Sequence, residues 1–71
     1  MTAPRSADEW RALIGRKVSV RYTLHDDPEH PFSEAIGVLQ SVTGARLRIL
    51  RRRGEVVDVA LDDVLAAKVF P

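Results

Sequence analysis

The stretch ARLRILRRRGEVVDVAL, residues 45–61, decides the fold of this chain. Apolar residues alternate with polar ones on both sides of a glycine-containing segment, which is the pattern of a β-hairpin. A two-residue turn at Arg53-Gly54 would mix apolar and charged residues on each face. A three-residue loop over 52–54 puts the apolar positions on one face, as a buried sheet requires, and Gly54 supplies the left-handed residue.

This loop length fixes the register between the two strands. The paired residues are then Arg51 with Glu55, Ile49 with Val57, Leu47 with Val59 and Ala45 with Leu61. The same register sets Arg48 against Asp58 on the outer face, which is a favourable cross-strand pair.

Two more strands precede this hairpin. Strict alternation predicts the first over about 16–24, with an apolar face formed by Val18, Val20, Tyr22 and Leu24. The second runs over about 33–41; Ile36, Val38 and Val42 share one face, and Ala35 and Leu39 are apolar on the other. Gly37 inside this run indicates a bend or a bulge, which suits a small barrel better than a flat sheet.

Short helical segments frame the strands. Ser6 and Glu9 form a capping-box pattern that predicts a helix over about 7–14, ended by Gly15. Residues 62–65 read as one helical turn capped by Asp62, and 66–70 as a fifth strand. We expect residues 1–6 to be a flexible N-terminus and 7–71 to be one domain.

The predicted fold is all-β: a small five-stranded SH3-like barrel with a short N-terminal helix and a one-turn helix before the last strand. An Sm-like barrel, with the same strand order behind a leading helix, is the open alternative. Its exposed strand edges also make a homo-oligomer possible.

Composition excludes several classes of protein. The chain has 71 residues, no cysteine and a formal net charge of +1, so a disulfide framework and a thiol nucleophile are excluded. It shows no membrane span and no signal peptide, and we expect a cytoplasmic module in a reducing compartment. No nucleophile motif, phosphate loop or dinucleotide fingerprint is present, so we expect no catalytic residues and no bound cofactor in this chain.

The charge is concentrated in one segment. Residues 41–53 contain five arginines and no acid, namely Arg46, Arg48, Arg51, Arg52 and Arg53. Arginine clusters grip phosphates, but RNA-binding barrels usually add aromatic platforms. Trp10 and Tyr22 occupy apolar-face positions and are expected in the core. Because Arg48 and Arg51 have predicted acidic partners, mainly Arg52 and Arg53 stay unpaired.

The predicted loop over 25–31 holds the weak candidates for a metal site. His25, Asp26, Asp27 and His30 carry metal-binding groups, but two prolines interrupt the loop, so the ligands are not preorganised. We therefore expect a solvated acidic loop without a metal. Its position matches the long first loop of SH3 barrels, which often lines their partner groove.

Several stretches together resemble a known family. These are residues 10–22 (WRALIGRKVSVRY), 34–39 (EAIGVL), 53–59 (RGEVVDV) and 63–68 (DVLAAK). They are similar to the N-terminal SH3-like domain of actinobacterial GNAT-superfamily acetyltransferases, some described as histone acetyltransferases. The resemblance spans about residues 10–70.

That resemblance implies a non-catalytic accessory domain. In the family, acetyl-CoA binding and acetyl transfer belong to a separate C-terminal domain, whose pyrophosphate loop is absent here. The chain would then be an excised domain or a free-standing relative, and acetyl-CoA would matter only with a downstream catalytic domain. Whether a longer parent is an N-acetyltransferase stays open at this point.

The expected function is therefore protein interaction, with a protein or an adjacent catalytic domain as partner and no membrane contact. The candidate contact residues lie in the first loop, at the start of the second strand and in the arginine segment: His25, Asp26, Asp27, His30, Phe32, Arg46, Arg51, Arg52 and Arg53. The alternative is an Sm-like or SH3-like module that binds nucleic acid through residues 46–53.

Overall fold

Five antiparallel strands form one curved sheet in the computed structural model, which describes residues 6–71. The strands are β1 (Lys17–Thr23), β2 (Phe32–Thr43), β3 (Arg46–Arg51), β4 (Val56–Ala60) and β5 (Val64–Val69). Helix α1 (Ala7–Arg11) precedes β1, and a 3-10 turn (Leu61–Asp63) joins β4 to β5. The predicted all-β class is confirmed.

The strand order in the sheet is β4-β3-β2-β1-β5. This order, with a leading helix and a helical turn before the last strand, is compatible with an SH3-like or Sm-like barrel. Within residues 6–71 the outermost strands β4 and β5 are not hydrogen-bonded to each other, so the barrel is not closed. Both outer strands therefore present free backbone edges.

The core lies on one face of the sheet. Its buried side chains belong to α1 and to β1 through β4: Trp10, Val18, Val20, Ala35, Leu39, Leu47, Ile49 and Val59. Trp10 is only 1% exposed and belongs to the core cluster, while Tyr22 packs partly buried against that cluster. Both aromatic side chains are therefore core residues, as predicted.

The hairpin follows the predicted register. Leu47 pairs with Val59, Ile49 with Val57 and Arg48 with Asp58. The amide of Arg51 donates to the carbonyl of Glu55 at 2.7 Å, and that of Leu61 donates to Ala45 at 2.8 Å. Gly54 has φ +93°, the left-handed conformation that the three-residue loop requires. The pairing predicted from the sequence is confirmed.

Strand β2 differs from the expectation in its bulge. The register shifts between Leu39 and Ser41, so the extra residue is Gln40 and not Gly37. Ahead of the bulge the buried positions are Ala35, Gly37 and Leu39, whereas Val42 packs against the core after it. Ile36 and Val38 consequently lie on the outer face, 42% and 39% exposed.

Gly37 has a different role from the predicted bend. A Cβ atom at this position would collide with the carbonyl group of Leu50 on the neighbouring strand. The absence of a side chain lets β2 and β3 approach closely where the sheet curves.

Both helical segments differ from the prediction: the first is shorter, and the second begins one residue earlier. Ser6 Oγ accepts from the amide of Glu9 at 3.2 Å, which confirms the predicted N-cap. The helix ends at Arg11 instead of residue 14, and turns lead to Gly15. Asp62 is not a cap, since the 3-10 turn starts at Leu61 with Ala60 as N-cap and no side-chain capping bond.

Residues 1–5, most of the predicted flexible N-terminus, lie outside the described residues. The one α-helix among residues 6–71 has five residues, so no helix there could cross a membrane.

Candidate functional site

The basic hairpin, defined here as residues 51–54, projects from the end of β3 beyond the buried core. Arg51, Arg52 and Arg53 are all exposed. The three side chains line a shallow groove of about 370 Å³ together with Ile36 and Glu55. This groove combines cationic groups with an exposed aliphatic surface.

Two of these arginines have no partner among residues 6–71. Arg52 and Arg53 make no ion pair or side-chain hydrogen bond there. Arg51 donates from its guanidinium to the carbonyl oxygen of Glu34 at 3.5 Å, a long contact. Glu55 pairs with Arg51 through the backbone, and no ion pair joins their side chains within the described chain. All three guanidinium groups therefore remain available to a phosphate or carboxylate.

The structure separates Arg46 from the hairpin. Arg46 opens β3 and pairs with Thr43 and Ala60, so its Cα lies about 17 Å along the strand from that of Arg51. Between them, Arg48 Nε donates to Asp58 Oδ1 at 3.3 Å. The basic segment of the sequence thus divides into a cluster of three arginines at 51–53 and a distant Arg46, and the charge of Arg48 between them is paired with Asp58.

Each histidine of the first loop faces a carboxylate of its own. His25 Nε2 lies 2.7 Å from Asp63 Oδ1, and His30 Nδ1 lies 3.0 Å from Asp27 Oδ2. The hydrogen bond and the charge of Asp63, with a smaller contribution from Asp26, raise the pKa of His25 above its ordinary value. The loop is therefore tied to the 3-10 turn.

The loop does not assemble its predicted metal candidates into one site. Asp27 Oδ1 also accepts from the amides of Glu29 and His30, which makes it a loop-stabilising side chain. Within residues 6–71 no group of three or more His, Cys, Asp or Glu side chains could hold a metal ion. The four candidate ligands consequently give no support for a metal site.

Phe32 lies at the start of β2 on the outer face and is 52% exposed. The guanidinium carbon of Arg21 lies 5.4 Å from its ring centroid, in a cation–π contact. Phe32 pairs with Thr23 at the end of β1, away from the basic hairpin. The structure therefore does not bring it together with the arginines.

A second group of cations was not predicted from the sequence. The ammonium groups of Lys17 and Lys68 lie 5.0 and 5.4 Å from the centroid of the Phe70 ring, and Arg16 donates to the Phe70 carbonyl oxygen at 3.1 Å. We call these four residues the terminal cation cluster. None of these residues stands out as a binding candidate in the sequence, and they come together only when β1 pairs with β5.

Comparison with known proteins assigns a family. A family model described as "Rv0428c N-terminal Sm-like domain" matches residues 12–68. No curated protein and no solved structure matches the chain. The family match overturns the resemblance to the N-terminal domain of actinobacterial GNAT acetyltransferases, since the matched family is Sm-like and nothing in it indicates an acetyltransferase.

Proposed function

The chain belongs to the Rv0428c N-terminal Sm-like domain family, and we propose that it is a non-catalytic module that binds nucleic acid through its basic hairpin. The matched family carries no catalytic description, and its Sm-like character is compatible with the nucleic-acid alternative that the sequence left open. Arg46 is not part of the proposed site, because it lies at the other end of β3.

The observation that carries the proposal is the set of guanidinium groups at the hairpin. Arg51, Arg52 and Arg53 are exposed around one groove, and no side-chain carboxylate within residues 6–71 forms an ion pair with them. Guanidinium groups bind phosphate oxygens bidentately and hold their charge at every physiological pH. Such a cluster suits a phosphate backbone better than a single small anion.

The test is a fluorescence anisotropy titration with a labelled 12-nucleotide single strand, as RNA and as DNA, over a range of salt concentrations. We expect binding at low salt that weakens steeply as salt rises. Replacing Arg52 and Arg53 together by alanine should weaken binding and flatten the salt dependence by about 0.7 per lost phosphate contact.

The matched control removes two positive charges outside the site. Arg11 forms an ion pair with Asp8 on α1, and Arg46 lies at the other end of β3, so Arg11→Ala with Arg46→Ala lowers the net charge as much as replacing Arg52 and Arg53 does. The control should bind like the wild type. Absence of binding by the wild type at low salt, or an equal loss with the control, would contradict the proposal.

Protein docking is the second candidate, and one observation favours it. Val38, Leu50 and Val56 pair across β2, β3 and β4 on the outer face, and Val38 and Val56 are 39% and 49% exposed. With the basic hairpin at its border, this apolar row suits an acidic segment with apolar anchors in a partner protein. A peptide of alternating Glu and Leu should then bind the wild type and lose affinity with Val56→Thr. If Val56→Thr bound the peptide as tightly as the wild type does, this apolar row would be excluded as the docking surface.

A further inference from the structure

Lys17 and Lys68 of the terminal cation cluster lie on the outer face of the sheet, and the groove of the basic hairpin reaches that face at Ile36. Lys68 pairs with Ser19 across β5 and β1, and Ser19 pairs with Ile36 across β1 and β2. Directly paired residues of antiparallel strands point to the same face. Ile36 in turn lines the groove of the basic hairpin, so one row of side chains connects the two groups of cations.

The cluster places three cationic side chains around Phe70. Arg16, Lys17 and Lys68 are exposed, and within residues 6–71 none of them forms a salt bridge. The Phe70 ring lies within 5.4 Å of both ammonium groups and stabilises them by cation–π contact. A bound anion would be attracted by each of these cations, none of which is neutralised by a salt bridge within residues 6–71.

The surface between the two groups of cations is suited to a strand of nucleotides. A second groove of about 190 Å³ lies at its β5 side and is lined by Ser19, Arg21, Glu34, Ala66, Ala67 and Lys68. Ile36 is 42% exposed in the middle of the row. Crossing from β5 to the end of β3 takes three inter-strand steps, or about 14 Å.

We propose that a single-stranded nucleic acid crosses this outer face perpendicular to the strands, with phosphates on the basic hairpin and on the terminal cation cluster. This inference rests on the proposed function and adds its path and ligand class. An isolated phosphate would occupy only one of the two groups of cations. Unpaired bases can contact the exposed side chain of Ile36 between them, whereas a duplex hides its base faces.

Two carboxylates border the proposed path and limit its position. Glu55 lines the groove of the basic hairpin, and Glu34 accepts a hydrogen bond from Ser19 Oγ at 3.1 Å. Both would repel a phosphate placed directly above them. We therefore expect the phosphates to lie at the two ends of the row and the bases to lie near Ile36.

The test compares wild type and variants by anisotropy with labelled oligouridines of 2, 8 and 12 nucleotides. Lys17→Gln with Lys68→Gln should lower the salt slope by about 1.4, since each lost phosphate contact contributes about 0.7 for a single strand. The loss should be large for 12 nucleotides and small for 2, because a dinucleotide with one internucleotide phosphate engages only one group of cations. Phe70→Leu should weaken binding of the 12-mer, and Phe70→Tyr should retain it.

The control double variant, Arg11→Gln with Arg46→Gln, removes two charges away from the path and should bind like the wild type. Amide chemical shifts on titration with the 12-mer should change at residues 17, 19, 36, 68 and 70 as well as at 51–55. Shifts confined to 51–55, with Lys17→Gln/Lys68→Gln binding like the control, would overturn the path and leave the proposed function intact.

Other outcomes concern the ligand class. If the wild type did not bind any of the oligonucleotides, the proposed function itself would be rejected. Equal affinity for a duplex of the same length would exclude the single-strand assignment. Equal affinity for polyglutamate would show a surface for acidic protein segments and overturn the nucleic-acid assignment.

Discussion

His25 and Asp63 join the loop between β1 and β2 to the 3-10 turn, with 2.7 Å between Nε2 of the imidazole and Oδ1 of the carboxylate. The pair connects two segments that are 38 residues apart in the sequence. It ties the start of the long loop to the turn that precedes β5.

The raised pKa of His25 makes this contact depend on pH. Because the pKa of His25 is higher in the folded than in the unfolded chain, protonation of the imidazole stabilises the fold. This stabilisation is complete below the ordinary pKa of about 6.5 and is lost as the pH rises through the folded-state pKa. We expect Asp63→Asn to have a lower free energy of unfolding in urea than the wild type, and we expect this difference to be larger at pH 5.5 than at pH 8.5. NMR titration should give a lower His25 pKa in Asp63→Asn, and an unchanged value would exclude the contact in solution.

Gly37→Ala should destabilise the protein strongly, because the added methyl group would collide with the Leu50 carbonyl. Overpacking of this kind costs about 1–3 kcal/mol or more. Gly54→Ala is the matched control: it adds the same group to open space at φ +93°, at a cost of about 1–2 kcal/mol from the backbone conformation alone. Urea unfolding checks both, and a Gly37→Ala variant more stable than Gly54→Ala would contradict the close approach.

Trp10→Ala should remove most of the stability of the domain. The indole is 1% exposed, and truncation of a buried aromatic side chain costs about 3–5 kcal/mol, a large part of what a domain of this size has. Ile14, predicted on the same helical face, is 46% exposed, and Ile14→Ala should cost about 0.5 kcal/mol or less. Circular dichroism during thermal unfolding distinguishes them; similar melting temperatures would place Trp10 outside the core.

The ion pair between Arg48 and Asp58 should couple weakly. Their side chains are 55% and 48% exposed, and exposed pairs contribute about 0.2–1 kcal/mol. A double-mutant cycle with Arg48→Ala and Asp58→Ala in urea measures this coupling at low salt and in 0.5 M salt, where it should shrink. A coupling that does not change with salt would argue against an electrostatic origin.

The hairpin could be predicted in detail because its register has one solution. Only a three-residue loop ending at Gly54 puts Leu47, Ile49, Val57 and Val59 on one face, and this local condition needs no knowledge of the remaining chain. The pairing of Arg48 with Asp58 followed from the same condition.

The wrong or missing predictions mostly concern features that depend on tertiary structure. The bulge at Gln40 depends on how β2 curves between β1 and β3, so the alternation in its sequence did not locate it. The resemblance to acetyltransferase domains was wrong because motifs generic to small barrels carried it. The terminal cation cluster was missed because Lys17 and Lys68 meet only when the last strand pairs with the first.

The two faces of the sheet have an evolutionary consequence. The residues that hold the fold together lie in the buried core, and the charged residues of the basic hairpin and the terminal cation cluster lie outside it. Substitutions that change the charge of the outer face leave packing almost untouched. Natural variation can therefore retune, reverse or abolish ligand preference while the same scaffold persists, so two members of one family need not share a partner.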